Sequence, residues 1–403
     1  MEMGKTERKK RTRAKSNGVH MAKEITKAKT AASASDSGKG NEFIANKLER
    51  LGQDMLAQID ADSSPTFTTA LRSKGNIVYD NGVGFIRLGD KTEERTFINV
   101  GQARKFMQTV AIASKCKKFL KEDAHTSIRG LYYQLKFSLG DTLDEELFSE
   151  QSESNPLVED LEVALSVKRE DLNLNTDRKG VVAGNMVLKD KFGGDETEID
   201  CSKQGRSGWM IPSDVDNGME FKSIDADYVL VVEKDAMWQR LNEDKFWRKE
   251  NCILITPKGQ ASRGCRRLIR KLASRKLPVI VFTDCDAWGW YIYWAIKTGS
   301  MNLAYLGNDI ATPEARFVGV TMRDIKDYDF LEQLTINAKE VDIKRAEEML
   351  SYEWISCHKD WVEELKTVLK TKKKIEQDAL QGPRLSFVGD YLREKIEKKK
   401  FLA

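Results

Sequence analysis

One short stretch, residues 277–286, constrains the fold more than any other part of the sequence. It contains an apolar run, Val279–Phe282, and ends with two carboxylates, Asp284 and Asp286. An apolar run of this kind predicts a strand buried on both faces, as in a parallel sheet covered by helices. Ligands of such sheets bind beyond the carboxyl ends of the strands. The stretch therefore predicts an α/β domain with Asp284 and Asp286 at its ligand-binding edge.

A second apolar strand indicates which acids gather at that edge. The Asp-x-Asp pattern alone is weak evidence, because it occurs five times in the chain and is usually a solvated turn. The strand predicted at 228–232 ends at Glu233, whereas Asp225 precedes it and falls at the opposite end. Glu233 is therefore expected beside Asp284 and Asp286. Three clustered carboxylates repel one another unless a cation lies among them, and oxygen-only ligands suit Mg²⁺.

Length and composition indicate a multidomain protein without a membrane span. The chain has 403 residues, 40% of them hydrophobic, so two or three domains with their own cores are expected. No apolar stretch approaches the roughly 20 residues that cross a bilayer, and the N-terminus lacks an apolar secretory core. Six scattered cysteines without a Cys-x-x-Cys pair favour free thiols in a reducing compartment over zinc ligands. We therefore expect a cytoplasmic protein.

The first 40 residues differ from the rest of the chain in charge. They hold 11 Lys and Arg against 4 Asp and Glu, whereas the whole chain has a net charge of only +4. Because residues 1–40 also lack apolar periodicity, they are predicted to form a disordered basic tail. Contact with nucleic acid and a simple contribution to solubility explain such a tail equally well.

Residues 41–220 alternate helices with short strands. The segment 41–70 is predicted to start with an amphipathic helix at 43–60, with Ile59 at the end of its apolar stripe. A hairpin follows, with its turn at 80–82. Further elements are predicted as a strand at 95–100, helices at 102–120, from Thr126 or Ser127 onward and at 157–168, and a strand at 181–188. Helices beside a small sheet suggest a winged-helix (CAP-like) DNA-binding module in residues 71–220.

From residue 228 onward, strands and helices alternate regularly. Strands are predicted at 228–232, 252–256, 279–283 and 316–320, with a helix after each of the first three. This alternation predicts βαβ units and a parallel sheet in residues 221–403. The Lys- and Glu-rich end of the chain is predicted to be helical, for example at 361–379.

The helix that begins near Ser127 places two adjacent tyrosines on different faces. At about 100° per residue, Tyr132 shares the apolar stripe of Ile128, whereas Tyr133 projects elsewhere. Arg129 lies four residues before Tyr133 and shares its face. Packing is the usual role of such tyrosines. In the alternative interpretation, Tyr133 is free to react and Arg129 is placed to hold a phosphate beside it.

Several motifs resemble those of the type IIB topoisomerase family, which includes the A subunit of archaeal DNA topoisomerase VI and the meiotic double-strand-break transesterase. They are, in the family's order, Ser127-Ile128-Arg129-Gly130-Leu131-Tyr132-Tyr133, Val231-Val232-Glu233-Lys234-Asp235 and Thr283-Asp284-Cys285-Asp286. Shorter stretches are similar too, among them Lys374-Ile375-Glu376-Gln377. The resemblance covers about residues 45–400. The family usually has Pro where this chain has Ala287, so a less rigid turn is expected after the two aspartates.

The resemblance implies a winged-helix domain that carries the nucleophile, followed by a Toprim domain with a Rossmann-like parallel sheet. By motif position, Tyr133 is the nucleophile and Arg129 the active-site arginine, while Glu233, Asp284 and Asp286 are the Mg²⁺ ligands. The implied activity is that of a type II DNA topoisomerase: transient double-strand breaks through a 5′-phosphotyrosyl link, religated after ATP-driven strand passage.

The resemblance also implies partners. These are double-stranded DNA and a separate B subunit that binds ATP, since this chain has no Gly-x-x-x-x-Gly-Lys-[Ser/Thr] loop. The A subunit is expected as a homodimer within a heterotetramer of two A and two B subunits, with Tyr133 of one protomer at the metal site of the other. Residues 41–70 are a plausible contact for the B subunit. A break-forming enzyme without topological activity would use the same chemistry; a catalytically silent DNA-binding scaffold would need neither the tyrosine nor the acids.

Overall fold

The computed structural model describes residues 37–138, 146–192 and 194–402. The predicted basic tail lies outside these residues except for its last four, which begin the first helix, α1 (Ser37–Asp60). Leu48 and Met55 of α1 are buried, as their spacing predicts, but Ile59 is 51% exposed and does not continue the apolar stripe. No helix in the described ranges is long and apolar enough to cross a membrane.

The first unit is a group of helices with small sheets around it. Its further elements are β1 (Thr66–Ala70), β2 (Ile77–Asp80), β3 (Phe85–Leu88), β4 (Thr92–Thr96), α2 (Val100–Glu122), β5 (Thr126–Ser127), α3 (Ile128–Leu135), α4 (Ser154–Leu165) and β6 (Leu174–Asn175). β1 pairs antiparallel with β4, β2 antiparallel with β3, and β5 parallel with β6. The helices share one apolar core, in which Ile112, Leu131 and Leu161 are fully buried.

The β2–β3 hairpin forms as predicted, but it does not pack with the first unit's core. The amide of Ile86 donates to the carbonyl of Thr298 (3.0 Å), and the ring of Tyr79 lies 6.2 Å from that of Trp354. Both partners belong to the second half of the chain. The hairpin therefore ties an early segment of the sequence to a surface formed much later.

Two predicted strands have different bounds in the structure. The strand predicted at 95–100 is displaced: β4 ends earlier and pairs with β1, and Asn99 instead caps α2 by accepting from a backbone amide. The strand predicted at 181–188 is two strands, β7 (Val181–Ala183) and β8 (Met186–Phe192). The chain turns at Gly184 (φ +139°), where a Cβ atom would lie 2.7 Å from the carbonyl oxygen of Cys252. Only glycine fits this close approach.

The second unit contains the α/β domain. Its elements are β9 (Asp195–Asp200), β10 (Trp209–Met210), β11 (Met219–Ile224), β12 (Tyr228–Val232), α5 (Asp235–Glu243), α6 (Phe246–Lys249), β13 (Cys252–Thr256), α7 (Arg263–Ala273), β14 (Val279–Phe282), α8 (Ala287–Lys297), α9 (Gly307–Ile310) and β15 (Arg316–Gly319). The main sheet has the order β10-β7-β13-β12-β14-β15, and β13, β12, β14 and β15 run parallel. β12, β13 and β14 are buried throughout. The predicted parallel α/β sheet is confirmed; β8, β9 and β11 form a separate antiparallel sheet.

The end of the chain differs from the prediction at a point that matters for the site. The last elements are α10 (Asp324–Asp327), α11 (Phe330–Gln333), β16 (Ile336–Asn337), α12 (Glu340–Leu350), α13 (Glu353–Ser356), α14 (Lys359–Thr371), β17 (Lys373–Lys374) and α15 (Phe387–Glu397). The helix predicted at 361–379 is wrong beyond Thr371, because Lys372 is left-handed (φ +52°) and its amide closes α14 on the carbonyl of Val368.

Residues 373–381, which we call the strap, leave α14 and cross the carboxyl edge of the main sheet. The strap pairs with β16, and Ile375 exchanges two backbone hydrogen bonds with Cys285, of 2.8 and 3.2 Å. Cys285 lies between the two candidate aspartates, so the strap is fastened directly to the predicted site.

A buried ionic cluster joins the two units. Nη1 of Arg263, on α7, donates to both carboxylate oxygens of Glu162, on α4, at 2.8 and 3.0 Å. The hydroxyl of Tyr305 donates to the same carboxylate (2.8 Å). Arg267 and Glu170 form a second buried pair across the same boundary (2.9 Å). Buried charges that are paired and hydrogen-bonded in this way fix one arrangement of the partners.

Candidate active site

Helix α3 presents its two tyrosines to different environments. The helix begins at Ser127, whose Oγ accepts a hydrogen bond from the amide of Gly130 (2.9 Å). Tyr132 is buried, and its hydroxyl donates to the carbonyl of Ser149 (3.1 Å). Tyr133, one residue on, is 60% exposed. The helical faces predicted from the sequence are confirmed.

Arg129 and Tyr133 are one helical turn apart and both exposed. Within the described ranges, neither side chain forms a hydrogen bond or ion pair with another residue. The ring of Tyr133 pairs with that of Tyr132, at 5.1 Å between centroids. The guanidinium and the phenol are therefore both available to a ligand on the same face of α3.

The ends of two neighbouring strands bring Glu233 and Asp284 together. Glu233 follows β12 and Asp284 lies just beyond β14, and these strands are adjacent and parallel. Oε2 of Glu233 accepts from the amide of Asp284 (3.0 Å). Asp225, at the opposite end of β12, is exposed and its amide bonds to the carbonyl of Asn185 (2.9 Å). The prediction of which acids share the edge is confirmed for this pair.

Asp286 reaches the same edge but is turned to other partners. Its Oδ1 accepts from the amides of Trp288 (3.1 Å) and Gly289 (2.8 Å), and so caps α8. Its Oδ2 accepts from Nζ of Lys374 (3.0 Å). Ala287 is buried as the first residue of α8. These contacts hold the turn at a position where the family usually has proline.

Lys234 supplies a positive charge to the site. Its Nζ lies 3.1 Å from Oδ2 of Asp284 and also contacts Glu376 and Asp378. The lysine directly follows Glu233, at the start of the chain's passage from β12 into α5. Sequence patterns alone did not reveal this role, because Lys234 forms its contacts with residues far along the chain.

The strap supplies the remaining contacts to the two aspartates. The amide of Gln377 donates to Oδ1 of Asp284 (2.8 Å), while Lys374 binds Asp286. The sequence predicted a helix here, so these functional contacts were missed. The only signal for them was the similarity of residues 374–377 to the family.

The electrostatics of the site favour an additional cation. Burial, followed by repulsion from Asp284, raises the pKa of Glu233 well above its usual range. Burial also raises the pKa of Asp284, against the hydrogen bond from Gln377 and the attraction of Lys234. A cation bound at this pair would offset both the cost of burying the two carboxylates and the repulsion between them. The donors are all carboxylate oxygens, the ligands of a hard divalent ion.

The three acids do not converge on one point as they stand. In the described part of the chain, no three His, Cys, Asp or Glu side chains are gathered closely enough to hold a metal ion. Both oxygens of Asp286 are engaged by α8 and Lys374. An ion held by all three acids would need the Oδ2 atoms of Asp284 and Asp286, which now contact Lys234 and Lys374.

The helix that carries Tyr133 and the strands that end at the acids pack into separate cores. Tyr132 lies in the core of the first unit, whereas the strands that end at the acids lie in the core of the second. The main neighbours of α3 are α2, α4, β5 and β6. Among the described residues, no hydrogen bond or ion pair joins Tyr133 or Arg129 to Glu233, Asp284 or Asp286. The tyrosine and the acids of one chain thus lie on different units.

Known proteins are similar to this chain along nearly its whole length. It is 43% identical over 371 residues to the A subunit of type 2 DNA topoisomerase 6 from Pyrococcus abyssi, an alignment that covers 89% of this chain and 95% of the relative. The chain belongs to the family of topoisomerase VI A subunits. Proteins of the same name are 38% identical in Aeropyrum pernix (88% of this chain, 94% of the relative) and 35% identical in Methanocaldococcus jannaschii (90% and 96%).

Three family models match successive parts of this member of the topoisomerase VI family. A model described as type IIB DNA topoisomerase matches residues 104–174, which include α3. A model for the all-beta domain of the DNA topoisomerase VI alpha subunit matches 179–225. The Toprim model shared by the topoisomerase 6 A subunit and Spo11 matches 228–396, which include the acids and the strap. The resemblance inferred from the motifs and the Toprim fold are confirmed, and the chain is placed among the type II DNA topoisomerases.

Proposed function

We propose that this chain is the DNA-cleaving subunit of its type IIB topoisomerase and that Tyr133 is the nucleophile. It makes transient double-strand breaks and religates them after strand passage, and so relaxes supercoils and decatenates DNA. The observation that carries the proposal is the contrast within α3. Tyr132 is buried with its hydroxyl bonded to Ser149, whereas Tyr133 is exposed and, within the described chain, has no competing partner.

The proposed step exchanges one phosphodiester for another. Oη of Tyr133 attacks the phosphorus in line; the Oη–P bond forms as the bond from phosphorus to the 3′-oxygen breaks. The tyrosine loses its proton and the released 3′-oxygen gains one, which leaves a 5′-phosphotyrosyl link and a 3′-hydroxyl. Because the bond types are the same before and after, the 3′-hydroxyl can reverse the reaction without ATP.

Arg129 is proposed to stabilise the phosphoryl group during this step. It is exposed one turn before Tyr133, and no carboxylate of the described chain holds its guanidinium. A guanidinium grips two phosphoryl oxygens at once, which suits the charge that develops in the transition state.

Glu233, Asp284 and Asp286 are proposed to hold Mg²⁺, whose charge, when the ion is bound, neutralises phosphoryl oxygens. The chain's own groups prepare this site. The amide of Gln377 fixes Asp284, and the capping contacts of Asp286 fix the turn between the two aspartates. Lys234 offsets the negative charge and has Glu376 as a second partner when it leaves Asp284.

The proposal includes an assembly. The first unit is assigned as a winged-helix DNA-binding domain, and two chains form a homodimer in which Tyr133 of one protomer meets the acids of the other. The separation of the two half-sites within one chain supports this arrangement, which gives one cut per DNA strand. The B subunit binds ATP and contacts residues 41–70, in a heterotetramer of two A and two B subunits that acts on DNA in the cytoplasm.

The deciding experiment is relaxation of supercoiled DNA by this chain with and without its ATPase partner. Relaxation that requires both subunits, ATP and Mg²⁺ is expected, with covalent protein–DNA adducts trapped on denaturation. Asp284→Asn should weaken Mg²⁺-dependent adduct formation, whereas the matched change Asp225→Asn, at the opposite end of β12, should leave it unchanged. Adducts without relaxation would indicate a break-forming enzyme instead.

A further inference from the structure

Trp288 is the most exposed tryptophan of the described chain, and it lies beside the candidate acids. It is 43% exposed, whereas every other residue from 281 to 290 is buried. Its own amide donates to Asp286 (3.1 Å), so its position relative to the acids is fixed. Three other aromatic residues of α8 are buried: Trp290, Tyr293 and Trp294. An indole left in water at the rim of a buried carboxylate site is a surface suited to a ligand with both apolar and polar parts.

A guanidinium is already stacked on this indole. The carbon centre of the Arg345 guanidinium lies 4.6 Å from the ring centroid of Trp288 and 4.9 Å from that of Tyr291. Nη1 of Arg345 also bonds to Glu348 (2.8 Å), which limits its rotation. The stacking orients the guanidinium and leaves donors for a further acceptor, since it has five N–H groups.

Helix α12 places Arg345 on the side of the site. Asp342, one turn earlier on α12, lies 3.6 Å from Nζ of Lys374, which in turn binds Asp286. The indole and the guanidinium are thus attached to Asp286 from two directions, through the start of α8 and through α12. If Trp288 and Arg345 served only to join α8 to α12, the indole would not need to be exposed at this place.

We propose that Trp288 and Arg345 form a DNA contact that positions the nucleotide next to the scissile phosphate. The inference rests on the proposed function and deepens it. The exposed face of the indole packs on the sugar and base of that nucleotide, and Arg345 binds its backbone phosphate. Together with Lys234 and Lys374, Arg345 offsets the repulsion between the acids and the DNA backbone.

The contact affects the rate of cleavage more than the affinity for the duplex, because it positions the phosphate that is attacked. Many phosphate contacts contribute to the binding of a duplex, so the loss of one stacking surface changes affinity little. A phosphate displaced from the line of attack slows cleavage much more. Trp288→Ala should therefore lower the single-turnover rate of adduct formation on the order of tenfold, with duplex affinity nearly unchanged. Trp288→Phe, which keeps an aromatic face, should restore most of the rate.

A spectroscopic readout separates this role from a structural one. The full chain is labelled with 5-fluorotryptophan in a Tyr133→Phe background, so that no covalent adduct forms, and titrated with a duplex oligonucleotide while ¹⁹F resonances are followed. Trp288→Phe assigns the resonance of Trp288. Trp354→Phe assigns a control, because Trp354 is stacked on Tyr352 at 4.8 Å on another helix. We expect the Trp288 resonance to shift as the duplex saturates the protein and the Trp354 resonance to stay.

Each other outcome overturns the inference in a distinguishable way. A Trp288 resonance that stays in place on DNA-saturated protein removes the contact and leaves the proposed function intact. A resonance that moves with protein concentration before DNA is added assigns the surface to a second copy of the chain. If the duplex does not bind, by fluorescence anisotropy of a labelled oligonucleotide, both the contact and the proposed function fail.

Discussion

Adjacent residues of α3 have unlike chemistry because one helical step moves a side chain about 100° around the axis. Tyr132 points into the first unit, where its hydroxyl completes the hydrogen bonding of the Ser149 carbonyl. Tyr133 points away from the core and keeps its hydroxyl unengaged within the described chain. The same step places Arg129 with Tyr133 rather than with Tyr132. A single step along the helix therefore separates a buried phenol from an exposed one.

The two tyrosines are tested by removing one oxygen from each. Tyr133→Phe should abolish covalent protein–DNA adducts, because it removes the attacking atom. Tyr132→Phe should keep adduct formation and cost about 1 kcal/mol of unfolding free energy, the usual value of a lost hydrogen bond. Adducts are measured on denaturing gels and stability by urea titration. Adducts that persist in pure Tyr133→Phe protein would reverse the assignment.

Arg129 is tested by keeping its charge and changing its shape. Arg129→Lys should retain most DNA binding but slow cleavage on the order of 10²-fold, as for the loss of one well-placed donor. The measurement is single-turnover adduct formation at saturating DNA, beside a binding titration. Arg87→Lys, at an exposed arginine of the β2–β3 hairpin, is the matched control and should be silent. A wild-type rate in Arg129→Lys would remove Arg129 from the active site.

At the scale of elements, the strap shows what the sequence could and could not predict. The strands that end at Glu233 and Asp284 were predictable, because continuous apolar runs specify buried parallel strands. The strap was not, since its Lys- and Glu-rich composition resembles the helix before it. The helix ends because Lys372 adopts a left-handed conformation that its sequence does not demand. The orientation of Asp286 was equally unpredictable, since Lys374 is brought to it only by the tertiary fold.

The strap's electrostatic role is tested with two neighbouring lysines. Lys374→Met leaves Asp286 as a buried carboxylate without its cation, so we expect a loss of roughly 3–5 kcal/mol of unfolding free energy in the presence of a chelator. Mg²⁺ should recover more stability in this variant than in the wild type, because the freed Oδ2 can bind it. Lys373→Met is the control, since the side chain of Lys373 bonds to that of Asn337, which is exposed. Thermal unfolding with EDTA or Mg²⁺ measures both, and equal responses would contradict the strap's role.

At the scale of the whole molecule, buried charges decide how the two units behave. Glu162 on the first unit accepts from Arg263 and Tyr305 of the second; the two charged residues are buried and Tyr305 is half-buried. Such a cluster stabilises little over an apolar contact, but breaking one partner is costly. The units should therefore move as one body, and relative motion in the enzyme should occur between chains.

Uncoupling the units tests this rigidity. Arg263→Met should cost roughly 3–5 kcal/mol, because it leaves the Glu162 charge buried, and should split urea unfolding into two transitions as the units lose their coupling. Arg270→Met, on the same helix, removes only a partly exposed pair with Glu314 and should cost about 0–1 kcal/mol. Adding Glu162→Gln to Arg263→Met should recover part of the loss. A single cooperative transition in Arg263→Met would show that other contacts join the units.

The β2–β3 hairpin has a consequence for how the protein is made. Phe85 and Ile86 are buried against residues near Thr298, more than two hundred residues later in the chain. At ribosomal rates of about 5–20 residues per second, roughly 10–40 s pass between the synthesis of the hairpin and that of its docking surface. Once β6 has been made, these two apolar side chains remain without their packing partners beside a first unit that is complete in other respects. The β2–β3 hairpin is thus among the first elements to be synthesised and among the last to dock.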